Sequence, residues 1–330
     1  MKKADDYFKL VCLVCVCAFI LIGCANNRGT EEKIFIENEK EELQEEKMEE
    51  PEVESSSVSI EADTEDSMES IGMEPDIACA DWSEYFNGLN GAAVVYDATN
   101  RQYTMYNADL AVDRSSPCST FKIISSLIAL ENGILEPEDS TREWSGEVFW
   151  NEDWNKDIDF SEAFRTSCVW YYRQVIDDIG KDMMQKELDK LQYGNCDISD
   201  WEGRLNTNNN NRALTGFWIE SSLMISPKEQ VEVMERIFGD DSDYSEETRN
   251  ELKQVMLVSE QDGADISIYG KTGMGKAEGV VVDAWFTGFA ESTEGKIYFC
   301  VHLGRTDGMN VSSSGAKEIA IQIVSDYYNQ

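Results

Sequence analysis

Ser119 and Lys122 stand three residues apart in the stretch SSPCSTFKIISSLIALENG. On a helix, that spacing places both side chains on one face, one turn apart. A serine hydroxyl beside a lysine amine is a candidate nucleophile with its base. An ordinary lysine is charged at neutral pH and takes up no proton. Lys122, however, opens a run in which Ile123, Ile124, Leu127, Ile128 and Leu130 cover most of a helix surface. A helix apolar nearly all round is buried, and burial disfavours the charged amine. Histidine is a poor alternative base here. It occurs once in 330 residues, as His302 in the strand-like run KIYFCVHLG, and no G-x-S-x-G elbow presents a serine to it. His302 reads as structural.

A lone Ser-x-x-Lys arises by chance about once in a chain of this length. Its company raises its weight. YGKTGMG supplies Lys271-Thr272-Gly273 at the end of a β-rich run, and the two motifs recur together in penicillin-recognising enzymes. Glycines 270, 273 and 275 are expected to let a ligand approach the strand backbone closely.

The elements that must position these residues fall into three blocks. Residues 91–97 and 101–106 read as a hairpin around Asp97-Ala98-Thr99-Asn100. Residues 136–255 read as mostly helical, with two helices meeting near Gly180 and another starting at Ser226-Pro227 with Glu229 as its capping-box partner. ISIYGKTGM, VVDAWFTGFAES and KIYFCVHLG read as three antiparallel strands, and SSSGAKEIAIQIVSDYYNQ as a closing helix capped near Ser313 or Ser314. Strands at both ends bracket a helical middle. This predicts an α/β fold of the α+β kind: one antiparallel sheet flanked by helices, plus a mostly helical lobe. The cleft between them is the default ligand site.

With these residues in place, 79–330 resembles a class D (oxacillinase-type) serine β-lactamase. STFK is similar to that family's Ser-x-x-Lys. Ser167-Cys168-Val169 is similar to its Ser-x-Val, and Tyr193-Gly194-Asn195 to its Tyr-Gly-Asn. FWIESSLMISPKEQVE resembles the segment around a tryptophan that contacts the lysine, here Trp218, and YGKTG completes the set. The resemblance implies the penicillin-recognising serine-enzyme fold and hydrolysis of β-lactam antibiotics. It implies no cofactor beyond carbon dioxide, which adds to Lys122 to make N6-carboxylysine, the general base. Trp218 would donate its indole N–H to that group. Ser119 would carry the acyl group, and the backbone N–H groups of Ser119 and Met274 would form the oxyanion hole. Ser167 would relay a proton near Lys271, while Lys271, Thr272 and Gly273 would line the substrate-carboxylate side. Val169 and Ile219 would wall the lysine pocket, and Tyr193 and Asn195 would shape a turn.

Two features depart from the family pattern. Asn195 and Phe217 are separated by 21 residues, an Asn-rich link longer than expected. The arginine commonly placed near the final helix for the substrate carboxylate is missing, which leaves Lys317 or Arg305 as counterparts. Two other functions share the motifs. A β-lactam sensor domain holds its acyl group, and typically has Asn at the third position of the Ser-x-x motif, where this chain has Val169. A cell-wall transpeptidase or carboxypeptidase fits the YGN and FWIE segments poorly.

The N-terminus reads as separate from the fold. A 14-residue apolar run from Leu10 to Gly23 follows three lysines and ends in LIGC. It is short for a membrane span and suits a signal-peptide core. LIGC before NNRGTEE resembles a lipobox with Cys24 as the lipidated residue, a plain secretory signal or an uncleaved anchor being the alternatives. Residues 1–24 are thus expected to be a lipoprotein signal peptide, and the chain an exported, membrane-anchored lipoprotein on the extracytoplasmic face. Residues 25–78 hold 19 Asp and Glu against 4 Lys and Arg, and read as a disordered, self-repelling tether. Residues 79–330 form the catalytic domain in this reading. They carry 44 acidic and 21 basic residues, which argues against nucleic acid as a partner. Their five cysteines lack C-x-x-C spacing, so a zinc site is not expected.

Overall fold

The computed structural model describes residues 75–205, 210–261 and 266–329. Cys24, the apolar leader, most of the acidic segment and part of the Asn-rich link lie outside them. The strands are β1 (Asp76–Cys79), β2 (Gly91–Asp97), β3 (Gln102–Tyr106), β4 (Leu257–Gln261), β5 (Ile266–Ala277), β6 (Val280–Ser292) and β7 (Gly295–Gly304). The α-helices are α1 (Ser83–Phe86), α2 (Ala108–Ala111), α3 (Lys122–Glu131), α4 (Phe160–Arg165), α5 (Val169–Ile179), α6 (Lys181–Leu191), α7 (Pro227–Phe238), α8 (Glu246–Met256) and α9 (Ser313–Tyr328).

The strands form one sheet in the order β1-β3-β2-β7-β6-β5-β4. Strands from before and after the helical middle contribute, as the sequence blocks required. Side chains alternate across the sheet. On β6, Trp285 and Phe289 join the core shared with the helical middle, whereas Ala284, Phe286 and Ala290 join a second core with Ile319, Ala320 and Ile323 of α9. The sheet is therefore a wall between two apolar layers, and a strand residue's parity decides which layer it meets.

Local chemistry explains several boundaries. Asp97 accepts from the Asn100 backbone N–H at 3.0 Å and closes the hairpin turn. Ser226 and Glu229 form the complete capping box of α7, with Pro227 at its first turn. Ser312, one residue before the expected caps, accepts from Gly315 N to start α9.

Three features correct the sequence reading. β1 pairs parallel with β3, from Asp76 opposite Gln102 to Cys79 opposite Met105, so the sheet is mixed and not wholly antiparallel. The domain thus begins inside the segment read as tether. β1 is a short, largely exposed edge strand, and such a strand needs little apolar content. β4 lies beyond the helical block, in residues to which the sequence reading gives no element. Its LVSEQ sequence gains its conformation from pairing with β5, not from local preference. Finally, α4 is a separate helix capped by Asp159, which accepts from Glu162 N.

Candidate active site

Ser119 does not sit in the α-helix. Cys118–Phe121 form a 3₁₀ turn, and α3 begins at Lys122. In a 3₁₀ turn residues i and i+3 eclipse, which brings Lys122 directly over Ser119. Lys122 Nζ donates to Ser119 Oγ at 2.9 Å. Cys118, immediately before the serine, adopts the left-handed conformation at φ 49°, a strained choice for a residue with a β-carbon. Its N–H bonds to Trp218 O at 3.0 Å, which fixes the turn against the segment after the Asn-rich link.

The turn also presses on β5. A β-carbon on Gly273 would lie 2.9 Å from Pro117 O, and one on Gly275 would lie 2.9 Å from Cys118 Sγ. The missing β-carbons of these two glycines therefore make room for the Ser119 turn. β4 pairs with β5 only as far as Tyr269. Beyond it, the stretch from Lys271 has the Ser119 turn beside it in place of a strand.

Lys122 is 1% exposed, and burial lowers its amine to about 8. Burial also holds the thiols of Cys118 and Cys168, its nearby polarizable groups, neutral, at about 12 and about 11. No anion among the described residues therefore compensates the ammonium. The Tyr172 ring lies 5.2 Å from Lys122 Nζ, and its hydroxyl is 2.9 Å from Ser126 Oγ. Lys271 is 5% exposed. Burial first, then repulsion from Lys122, drives its amine well below the ordinary lysine value. Lys271 Nζ donates to Ser167 Oγ and to Thr272 O, both at 3.1 Å. Ser167 is left-handed at φ 59°, and Cys168, not Ser167, caps α5. Ser119–Lys122 and Ser167–Lys271 are thus two serine–lysine pairs, and the Lys122–Lys271 repulsion couples them.

Trp218 is fully buried, and its indole N–H has no hydrogen-bond partner among the described residues. Its ring stacks on Phe121, the residue before Lys122, at 6.2 Å between centroids. Val169 and Ile219 pack partly buried against the same core. Tyr193, Gly194 and Asn195 brace this wall. The Tyr193 ring meets Phe121 edge-on at 5.5 Å, and Asn195 bonds Ser222 O and Met224 N at 2.8 and 2.9 Å. Gly194 is required because a β-carbon there would lie 2.0 Å from Met224 O.

Thr272 and Met274 have the other parity. They pair with Phe286 and Ala284, whose side chains face α9. Lys317 stands on that helix. Arg305 follows β7 and pairs with Asp307 at 3.0 Å, largely exposed. His302 Nε2 lies 2.9 Å from Asp283 Oδ1, and its ring is 3.9 Å from the Trp285 ring, a packed strand residue as expected. Among the described residues no group of three or more His, Cys, Asp and Glu is placed to hold a metal.

Sequence reasoning missed Ser116. Its hydroxyl donates to Trp218 O at 3.0 Å and accepts from Glu220 N at 2.9 Å, and its carbonyl accepts from Trp285 Nε1 at 3.0 Å. One residue thus ties the turn, the Trp218 segment and β6 together. Its only local signal was a small polar residue before Pro117.

The family model of the penicillin binding protein transpeptidase domain matches residues 91–325. The regulatory protein BlaR1 of Bacillus licheniformis is 30% identical over 74% of this chain, and the chain spans only 38% of that relative's length. The probable beta-lactamase YbxI of Bacillus subtilis is 31% identical over 73% of this chain and 82% of its own. The solved C-terminal domain of the Bacillus licheniformis BlaR penicillin-receptor superposes with a TM-score of 0.67 at 29% identity, covering 77% of this chain and 97% of that domain. The chain belongs to the penicillin-binding transpeptidase-domain family, and within it to the class D β-lactamase group, close to which the BlaR sensor domain also stands.

Proposed function

We propose that this chain hydrolyses β-lactam antibiotics through an acyl-enzyme on Ser119. The observation that carries this reading is the 2.9 Å contact between Ser119 Oγ and a lysine amine that burial holds at about 8. Roughly a tenth of such amines are neutral at pH 7, against ~0.03% for an ordinary lysine. Lys122 takes the Ser119 proton, and Ser119 Oγ bonds to the lactam carbonyl carbon. The ring C–N bond breaks, and Ser167, held by Lys271, passes a proton to the departing nitrogen. The N–H groups of Ser119 and Met274 hold the developing oxyanion. Water then splits the ester and restores Ser119. Lys271 and Thr272, adjacent on β5, receive the substrate carboxylate, while Arg305 is engaged by Asp307.

Carbon dioxide added to Lys122 would supply an anionic oxygen base for the hydrolytic step. The site fits that group. Trp218 offers a buried donor without a partner, stacked beside the lysine's turn, and Val169 and Ile219 keep the wall apolar. Supporting the same reading, the leader suggests an exported protein anchored through Cys24; Cys24→Ser should release it from membranes or leave the precursor unprocessed.

The similarity to the BlaR sensor domain favours a second reading, in which the acyl group stays on Ser119. Mass spectrometry with penicillin over time separates the two. Rapid return to the free mass supports turnover, and a persistent adduct supports the sensor.

A further inference from the structure

The acylation steps leave Glu220 unused, although its backbone is strained. Glu220 adopts the left-handed conformation at φ 49°, a rare choice for a residue with a β-carbon. Such strain persists only where the surroundings impose it. Two bonds hold it here. The Glu220 N–H donates to Ser116 Oγ at 2.9 Å, and Glu220 Oε1 accepts from Lys276 N at 2.6 Å. Ser116 stands just before the turn that presents Ser119, and Lys276 lies near the end of β5. One residue of the Trp218 segment therefore joins the nucleophile's turn to the strand that carries Lys271, Thr272 and Gly273.

The bond to Lys276 falls where β5 is least supported. On one side β4 pairs only as far as Tyr269. On the other, pairing with β6 is regular up to Gly275 opposite Asp283, then shifts so that Lys276 stands opposite Val281 and Val282 is passed over. Such a bulge disrupts the ladder and bends the strand. The Lys276 N–H is given to Glu220 at this point of slippage. Backbone N–H groups two residues apart on a strand point to the same side. The Met274 N–H therefore faces the edge on which Glu220 holds Lys276. The Ser119 turn lies along that edge, since a β-carbon on Gly273 would be 2.9 Å from Pro117 O and 3.2 Å from Thr120 N.

The two N–H donors assigned above to the oxyanion thus stand on separate pieces of chain, and Glu220 bonds to both pieces. Resting on the reading of Ser119 as the acylated residue, we propose that Glu220 is a positioning residue of the oxyanion hole: its side chain sets the spacing between the Ser119 and Met274 N–H groups and touches neither substrate nor reacting atoms. Its oxygen acts as an acceptor. Its negative charge contributes nothing favourable, because a second anion opposes a developing oxyanion. Glutamine keeps an oxygen acceptor and loses the charge, so the two roles can be separated.

The test is the rate of acylation of the full-length protein by penicillin, followed by mass spectrometry over a range of concentrations. Glu220→Ala should lower the limiting rate at least about tenfold and leave the half-saturating concentration unchanged. Glu220→Gly, which relieves the left-handed backbone, should lose as much. Glu220→Gln should stay within about threefold of wild type. Glu278→Gln removes a charge from the same cavity wall and should change nothing. Phenylboronic acid, whose tetrahedral adduct on Ser119 places an oxygen in the hole, should bind the Ala and Gly variants more weakly by a similar factor. Urea unfolding confirms that each variant is folded under assay conditions. Ala and Gly variants that acylate at the wild-type rate would overturn the proposal and leave Ser119 as the acylated residue. A Gln variant as slow as Ala, or a loss confined to half-saturation, would overturn it too. A wild-type protein that takes up no penicillin at Ser119 would instead overturn the reading beneath it.

Discussion

Lys253 and Lys296 reach one carboxylate, Glu291, at 2.6 and 3.1 Å. Burial pushes that carboxyl up, but the two lysines outweigh it and hold it below the usual range. Lys122 and Lys271 reach only hydroxyl and carbonyl oxygens, and burial drives both amines down. All four amines lie near the same sheet. Where lysines have a counter-charge, the sheet gains a network that stays ionised. Where the counter-charge is withheld, the amine becomes a base, at a cost in stability. The contrast predicts that substitutions at the two places will differ in sign as well as size.

The largest effect should come from Ser119→Ala, which removes the proposed acceptor of the acyl group. Hydrolysis should fall by at least about a thousandfold, and penicillin should no longer add covalently. Labelling that persists at another serine would break the assignment. Next comes Lys122→Met, which loses activity but should gain stability. The native amine sits at about 8 and the unfolded one at 10.5. The unfolded chain therefore binds the extra proton between these values, and wild-type stability rises with pH across that window. At pH 7 the Met variant should be more stable by up to about 3 kcal/mol. Its advantage should shrink from pH 8 to pH 10, as urea unfolding would show. A variant less stable than wild type at pH 6 would refute the withheld counter-charge.

Trp218→Phe keeps the ring and deletes the N–H. Activity of wild type should decline as pH falls below about 8, because the protonated amine cannot add carbon dioxide, and millimolar bicarbonate should restore it. The Phe variant should need roughly tenfold more bicarbonate, as expected for loss of a donor worth about 1–2 kcal/mol. Indifference of both proteins to bicarbonate at every pH would exclude a carbamate base. The smallest effect is expected from Glu291→Gln. It should cost about 1 kcal/mol of stability and leave hydrolysis unchanged.

The chemistry was more legible than its support. Ser119, Lys122, Ser167 and Lys271 stand in short motifs whose spacing survives translation into geometry. The hairpin, β5 to β7 and the α7 cap follow from local alternation and capping residues. What escaped was decided at long range. Whether Ser119 lies in a 3₁₀ turn depends on Trp218 O and on Gly273 and Gly275, all distant in sequence. β1 and β4 take their form from neighbours. The Tyr-Gly-Asn stretch reads as a turn, but nothing local shows that Asn195 braces the wall behind Trp218.

The strand order carries a consequence for how the molecule forms. β2 sits between β3 and β7, and Asp97 pairs with Ile297 near the far end of the domain. The hairpin made first thus waits, with one edge unpaired, until β7 has been synthesised. Contacts of such high sequence separation fold slowly and leave strand edges exposed meanwhile. Ser119 can acquire its neighbours Gly273 and Gly275 only at that late stage. Reactivity toward a lactam should therefore appear as one of the last events of folding, together with closure of the sheet, and its onset can serve as a clock for that closure.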